Sequence, residues 1–249
     1  MAEHQTFWQL LDASAQGALS ELGRYRIIPD THSLMLQGDT PERVYVVMEG
    51  RVKVCMVSDR GKETVLDLLG PGDIVGELEA VDRRPRLASA VAKGMIKVLE
   101  LPGEQFRRLA LGSPVMSEAM FQVMSGRLRS ANEIRAARSA RDRVIELLHQ
   151  IAHRERRGRE GEVAVNPGVN SEEFANWAGT SRGAAGRALS WLQGRGVIQR
   201  VGHEIKVNLE ELHKSMDSHA HERDRDDRYD RDDRDDRDGG GNGDRDARD

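Results

Sequence analysis

Cysteine is almost absent from this chain. Cys55 is the only one among 249 residues, which excludes a disulfide framework, a zinc site held by cysteines and an iron–sulfur cluster needing four thiolates. A reducing cytoplasm is the expected setting. Long apolar runs are missing too. No stretch approaches the roughly 18 residues of a membrane span, and the start MAEHQTFWQLL lacks a signal peptide's charged opening and apolar core. No membrane partner is expected. An enzyme's machinery is also lacking. The eight histidines are scattered, with His213, His219 and His221 near or in the tail, and there is no nucleophile–base–acid set, metal-spaced cluster or Walker-type loop. Cys55 itself, inside a strand-like run, reads as a small core residue.

Positive charge is short overall, with a formal net of −4, which argues against a nucleic-acid binder until the charge is located. From Glu222 to Asp249 there are 13 acids against 8 arginines, whereas Arg138 to Lys214 holds 13 Lys/Arg against 10 Asp/Glu. The acidic tail hides a mildly basic region, suited to specific DNA binding with few phosphate contacts. The tail repeats Arg-Asp-Asp units and then Gly239-Gly240-Gly241. With almost nothing apolar to offset the entropy of ordering, it is expected to be disordered.

The rest of the chain divides by hydrophobic period. Thr6 to Leu22 has helical spacing (Phe7, Leu10, Leu11, Leu19, Leu22) and predicts one or two short helices. From Arg24 to Leu101 short runs such as VYVVMEG, RVKVCMV, TVLDLLG and AVAKGMIKVLELP alternate with breaks at Gly38-Asp39, Glu49-Gly50, Asp59-Arg60-Gly61 and Pro71-Gly72-Asp73. Such runs predict a small antiparallel roll or barrel. The helical period returns from Pro114 to about Ala140, where Phe121, Met124, Leu128 and Ala131 make a narrow seam. A seam that narrow meets a partner helix, or packs on the chain's own roll. Arg141 to His153 predicts a further helix, and Arg154 to Pro167 a polar loop.

Asn170 and Glu173 predict a capping box that opens a helix with Phe174, Trp177 and Ala178 on its buried face. Gly179 permits a tight turn, Thr180 or Ser181 caps the next helix, and Ala185, Ala188, Leu189 and Leu192 form its inner face. This is a helix-turn-helix, whose second helix enters the major groove. Two exposed arginines are usually solvated surface, but after this pattern Arg182 and Arg187 read as base-edge or phosphate contacts, with Asn170 and Ser181 on phosphate. VIQRVGHEIKV then predicts a β-hairpin wing about Gly202-His203.

These pieces in this order resemble the Crp/Fnr family of bacterial transcription regulators from Thr6 to about Met216. The matching stretches are Leu36-Gln37-Gly38-Asp39, Val44-Tyr45-Val46-Val47 through Gly50, Gly70-Pro71-Gly72-Asp73, Gly76-Glu77-Leu78, and Gly179-Thr180-Ser181-Arg182 through Gly186-Arg187-Ala188-Leu189. The resemblance implies an α+β fold: a cyclic-nucleotide-binding-like β-roll over 1–112, a dimerisation helix over 113–140, a winged helix-turn-helix over 141–216, and the tail over 217–249. Double-stranded DNA, a second copy of the chain and RNA polymerase are the implied partners.

It also implies a ligand: cyclic AMP, cyclic GMP or a cyclic dinucleotide. Gly76 to Ala90 matches the family's phosphate-binding cassette. There Glu77 corresponds to the acid that accepts the ribose 2′-hydroxyl, Arg86 to the arginine on the cyclic phosphate, and amides near Gly76 and Leu78 complete the cradle. The chain departs at Leu87, where the family's nucleotide binders place a serine or threonine on the phosphate. The lost hydrogen bond is worth roughly 1.5–3 kcal/mol, or about ten- to hundredfold in affinity. Ser89 substitutes only if the loop shifts. Glu79, Arg83 and Arg84 read as solvated surface. Ala131 and Asn132 fall near the family's adenine-contacting pair. In the reading helix Gly183 stands where the family's best-known member has a glutamate, which predicts altered base preference. A degenerate cassette leaves two further readings open: a regulator independent of ligand, and a module that docks protein partners through the same fold.

Deleting residues 219–249 is expected to leave the fold and the dimer intact, and DNA affinity unchanged or raised at low salt. A gel shift with the truncated chain checks this, and a marked loss of affinity would show that the tail helps to bind.

Overall fold

The computed structural model describes residues 5–59, 61–137, 139–156, 161–165, 169–201 and 204–216. The tail and the Gly202-His203 turn of the expected wing lie outside these residues. Two short helices, α1 (Phe7–Leu10) and α2 (Ala13–Leu22), open the fold. The Asp12 carboxylate caps α2, accepting from the Ala15 N–H at 2.7 Å, and Phe7 meets Phe106 edge-on with centroids 6.5 Å apart.

The roll contains β1 (Arg24–Ile28), β2 (Ser33–Met35), β3 (Arg43–Val57), β4 (Glu63–Leu69), β5 (Ile74–Val75) and β6 (Ser89–Pro102). The sheet order is β1-β6-β3-β4, with β2 on β6 and β5 on β3, and every pair is antiparallel. VYVV is a continuous apolar run because the start of β3 is buried on both faces. Val44 and Val46 belong to the core shared with Phe7, Leu19 and Phe106, while Tyr45 and Val47 line the other side with Val75, Ile96 and Val98. The break expected at Glu49-Gly50 is instead a bulge inside one strand. Gly50 sits at φ +82°, and a Cβ there would lie 2.7 Å from the Ile96 side chain, so only glycine lets the long strand bend.

Helix α3 (Glu77–Asp82) follows β5, and α4 (Gly103–Gly112) leads into α5 (Pro114–Ala136), which starts with proline in its first turn. The long helix stops four residues short of the expected Ala140. Ser139 opens α6 (Ala140–Glu155) with a reciprocal cap, its hydroxyl accepting from the Asp142 N–H and the Asp142 carboxylate accepting from the Ser139 N–H, both at 3.1 Å. This local cap outcompetes continuation of α5.

The carboxy-terminal part comprises β7 (Glu162–Val165), α7 (Ser171–Trp177), α8 (Arg182–Gly194), β8 (Ile198–Val201), β9 (Glu204–Asn208) and helical residues 209–216, with sheet order β7-β9-β8. Strand β7 corrects the expected loop: Val163 and Val165 face the core and Glu162 and Ala164 face out, the period-two alternation of EVAV. Val144, Leu147, Leu148 and Ile151 of α6 pack against Phe174, Trp177, Ala185 and Leu192.

Val65 and Leu68 of β4 join that same core, so the helix-turn-helix is docked on the roll. Buried Lys53 pairs with Glu63 at 2.7 Å and with Glu173 at 2.5 Å, Lys93 reaches Glu173 at 3.7 Å, and Arg51 pairs with Glu155. Glu173→Gln keeps a side chain able to close the cap of α7 but removes the charge that Lys53 and Lys93 face. It is expected to leave helix content unchanged and lower the free energy of undocking by about 2 kcal/mol. Hydrogen exchange across β4 measures this; unchanged protection would mean that the apolar contact alone holds the docking.

Candidate effector cavity and DNA-reading helix

The cassette expected to hold an effector runs from Gly76 to Ala90. Gly76 has φ +83°, and a Cβ there would meet Arg86 Nη1 at 2.8 Å; glycine both makes the turn and admits the arginine. Arg86 is returned beneath the cassette by its backbone, its N–H donating to the Asp39 carbonyl and its own carbonyl accepting from the Gly38 N–H, each at 2.8 Å. The residue is only 3% exposed. Nη1 donates to the Gly76 carbonyl at 2.8 Å and to Glu79 Oε2 at 3.2 Å, and Nη2 donates to the Arg43 carbonyl. Nε has no partner among the described residues.

Glu79 is not the solvated residue its sequence suggested. It is 6% exposed, and its second oxygen, Oε1, accepts from the Leu87 N–H at 3.0 Å. Arg83 and Arg84 are exposed as expected.

A cavity of about 370 Å³ lies over the cassette, between the roll, α5 and α6. Gly76, Glu77, Leu78 and Leu87 line it, as do Ala131 of α5 and Trp177 of α7; Arg86, Ser89 and Asn132 do not. Ser89 is occupied elsewhere, its hydroxyl accepting from the Gln37 N–H at 2.9 Å.

Glu77 is buried and accepts from Arg127 Nη1 at 2.7 Å, while Arg127 Nη2 donates to the Ile74 carbonyl at 2.6 Å. Burial raises the Glu77 carboxyl above its ordinary pKa despite that guanidinium, and Glu79 adds to the rise. Arg127 also stands 4.0 Å from Asp67, which takes Arg154 of α6 at 2.5 Å. Burial opposes ionisation of Asp67 too, but Arg154 and Arg127 outweigh it and hold its carboxyl below the usual value. Glu77, Arg127, Asp67 and Arg154 thus form one chain of charges from the cassette to the DNA-binding region. Sequence reasoning missed Asp67, Arg127 and Arg154, because nothing local marks partners so distant along the chain.

In the helix-turn-helix the expected local chemistry is present. Asn170 Oδ1 accepts from the N–H groups of Glu172 and Glu173 at 2.9 Å, and Glu173 Oε2 accepts from the Asn170 N–H at 2.8 Å. Asn170 is therefore engaged as a cap. Gly179 turns at φ +62°, and Thr180 closes the turn through its N–H to the Ala175 carbonyl at 2.9 Å. Ser181, not Thr180, caps α8, accepting from the Ala184 N–H at 3.2 Å. Arg182, Gly183 and Arg187 are all exposed. A Cβ on Gly183 would stand 3.6 Å from Arg187 Nη1, an ordinary contact, so a side chain there has room. On α5 Phe121 is 73% and Leu128 62% exposed.

A sensor-like roll joined through a long helix to a winged helix-turn-helix defines a one-chain DNA-binding regulator. Residues 26–113 match the cyclic nucleotide-binding domain family and residues 142–214 the Crp-like helix-turn-helix domain. The cyclic AMP receptor protein of Thermus thermophilus is 32% identical over 193 residues, 76% of this chain and 86% of that protein. A CRP-like cAMP-activated global transcriptional regulator of Mycobacterium tuberculosis is 28% identical over 204 residues, 81% of this chain and 91% of that protein. Among solved structures, FixK2 from Bradyrhizobium japonicum superposes with a TM-score of 0.67 at 18% identity, covering 77% of this chain and 96% of that one. This chain belongs to the Crp family of transcription regulators, which are not enzymes. Among the described residues no helix is long and apolar enough to cross a membrane.

Asp67→Asn removes the charge shared by two guanidinium groups and is expected to cost about 3 kcal/mol at pH 7. The Asp67 pKa is depressed on folding, so its stabilisation is present above the unfolded value near 3.9 and is lost as pH falls through the folded one. Urea unfolding across that range should show the parent and variant converging in acid; a constant difference would refute the role.

Proposed function

We propose that this chain works as a dimer, joined along α5, that reads a two-fold DNA site with α8 and is switched by occupancy of the cavity above the cassette. The observation that carries the reading is a capped helix with Arg182 and Arg187 exposed on it. Arg182 and Arg187 contact base edges or phosphate, Ser181, Thr180 and Asn170 support the phosphate register, and Gly183 leaves one base position unread. The exposed seam of Phe121, Met124 and Leu128 supports dimerisation. RNA polymerase is the further partner where the regulator activates.

For the effector, the family match and Glu77 in the cavity wall support a cyclic nucleotide, whether cyclic AMP, cyclic GMP or a cyclic dinucleotide. A specific observation favours the second reading, that DNA binding proceeds without one: Leu87 supplies no hydroxyl, and Arg86 is tied to Glu79 and two carbonyls.

Arg182→Ala and Arg187→Ala should each weaken specific binding about ten- to hundredfold, with the dimer unchanged in size-exclusion chromatography. Gel shift on DNA protected in a footprint of the protein's own upstream region is the measurement. Full affinity in both variants would refute the assignment, and no protection at low salt would turn the reading toward protein docking.

A further inference from the structure

A buried guanidinium beside a free backbone N–H is a cradle for an anion, because charge-assisted donors bind oxyanions strongly where water is excluded. In this chain the cradle is filled from within. Glu79 places one oxygen on Arg86 Nη1 at 3.2 Å and the other on the Leu87 N–H at 3.0 Å. Both groups of the pair are nearly inaccessible. Nη1 and Nη2 also donate to the carbonyls of Gly76 and Arg43, and Nε alone of the fork's nitrogens has no partner among the described residues. An incoming phosphodiester would have to displace Glu79 and leave a buried carboxylate without partners, a costly exchange.

The cavity above is of another chemistry. Met35, Leu66, Leu87, Leu128, Ile134 and Trp177 contribute to a wall that is mainly apolar. Glu77 and Asp67 on that wall are paired with Arg127 and Arg154. Of the two remaining charges on the lining, Glu79 is paired with Arg86 and Arg135 is exposed to solvent. A space of about 370 Å³ with apolar walls and internally neutralised charges suits a small apolar molecule.

We infer that the Glu79 carboxylate is a built-in stand-in for an effector's phosphate, and that the cavity selects an uncharged apolar ligand over a nucleotide. This deepens the reading of the cavity as the switching site and rests on it. Glu79 and Leu87 are then the specificity-determining residues: the first occupies the anion's donors, and the second lays an apolar surface where a hydroxyl would reach a phosphate.

The test uses the full chain and two probes: cyclic AMP followed by calorimetry, and the neutral fluorophore N-phenyl-1-naphthylamine followed by its emission. The parent protein should bind the fluorophore saturably, give no heat with millimolar cyclic AMP, and release no fluorophore to it. Glu79→Ser with Leu87→Ser should gain cyclic AMP affinity by at least tenfold and bind the fluorophore more weakly. Glu79→Gln keeps the shape of the side chain and guards against misfolding of the double variant; it should gain cyclic AMP affinity alone. Micromolar cyclic AMP binding by the parent, unchanged in Glu79→Gln, would overturn the inference, as would a parent that binds neither probe with no gain in any variant. DNA binding is read separately by gel shift. Failure of both Arg182→Ala and Arg187→Ala to matter there would sink the DNA-reading assignment while leaving the ligand result standing.

Discussion

One carboxylate, Asp67, stands between two guanidinium groups that belong to different parts of the molecule. Arg127 comes from the long helix and also holds Glu77 of the cassette; Arg154 comes from the helix on which the DNA-binding core is built. Partly buried charges of this kind, with Glu77 almost wholly enclosed, depend on their partners, and removing one member leaves the others poorly compensated. Roll, long helix and winged helix are therefore tied through a set of contacts whose members cannot be rearranged one at a time. A ligand that shifted the long helix would redistribute Arg127 between Glu77 and Asp67, and Arg154 would feel the change. Coupling of this kind needs no long-distance strain, only a shared ion with two neighbours.

The second tie is placed where it constrains orientation. Glu173 closes the cap of α7 and at the same time pairs with Lys53 and Lys93 of the roll. The sensor thus grips the first helix of the helix-turn-helix and leaves the second exposed. In the dimer proposed above, with half-sites on DNA spaced by about one helical turn, ~34 Å, the angle at which each roll holds its α7 would decide whether two copies of α8 fit the groove together. Apolar packing of Val65 and Leu68 supplies adhesion, and the ion pairs on Glu173 supply register.

What was legible in the sequence was what local chemistry decides. The cap at Asn170, the turn at Gly179, the short-strand punctuation of the roll and the amphipathic α8 all follow from neighbours within a turn or a hairpin. What was not legible depends on partners far along the chain: Arg154 meets Asp67 across 87 positions and Arg127 meets Glu77 across 50. Glu79 looked like surface because a charged residue in a polar loop usually is, and only the returning Arg86 turns it inward. The end of α5 was misplaced because helical propensity continues through Ala137, whereas the Ser139 cap starts a new helix. Even β7 was visible as alternation, but four residues inside a polar stretch are too few to outweigh their flanks.

The same logic bears on how DNA is read. Residues 138–214 carry only a small positive excess, so non-specific attraction to phosphate is weak and discrimination falls to side chains at base edges. Two arginines on α8 are suited to guanine, and Gly183 between them presents no side chain at all. A glycine in the first turns of a reading helix costs about 1 kcal/mol of helix stability relative to alanine. Space for a side chain exists, since a Cβ would meet only the Arg187 guanidinium at 3.6 Å. Steric exclusion therefore does not account for the glycine. Its consequence is mechanical: without a neighbour to brace it, Arg187 keeps rotamers open that a flanking side chain would close.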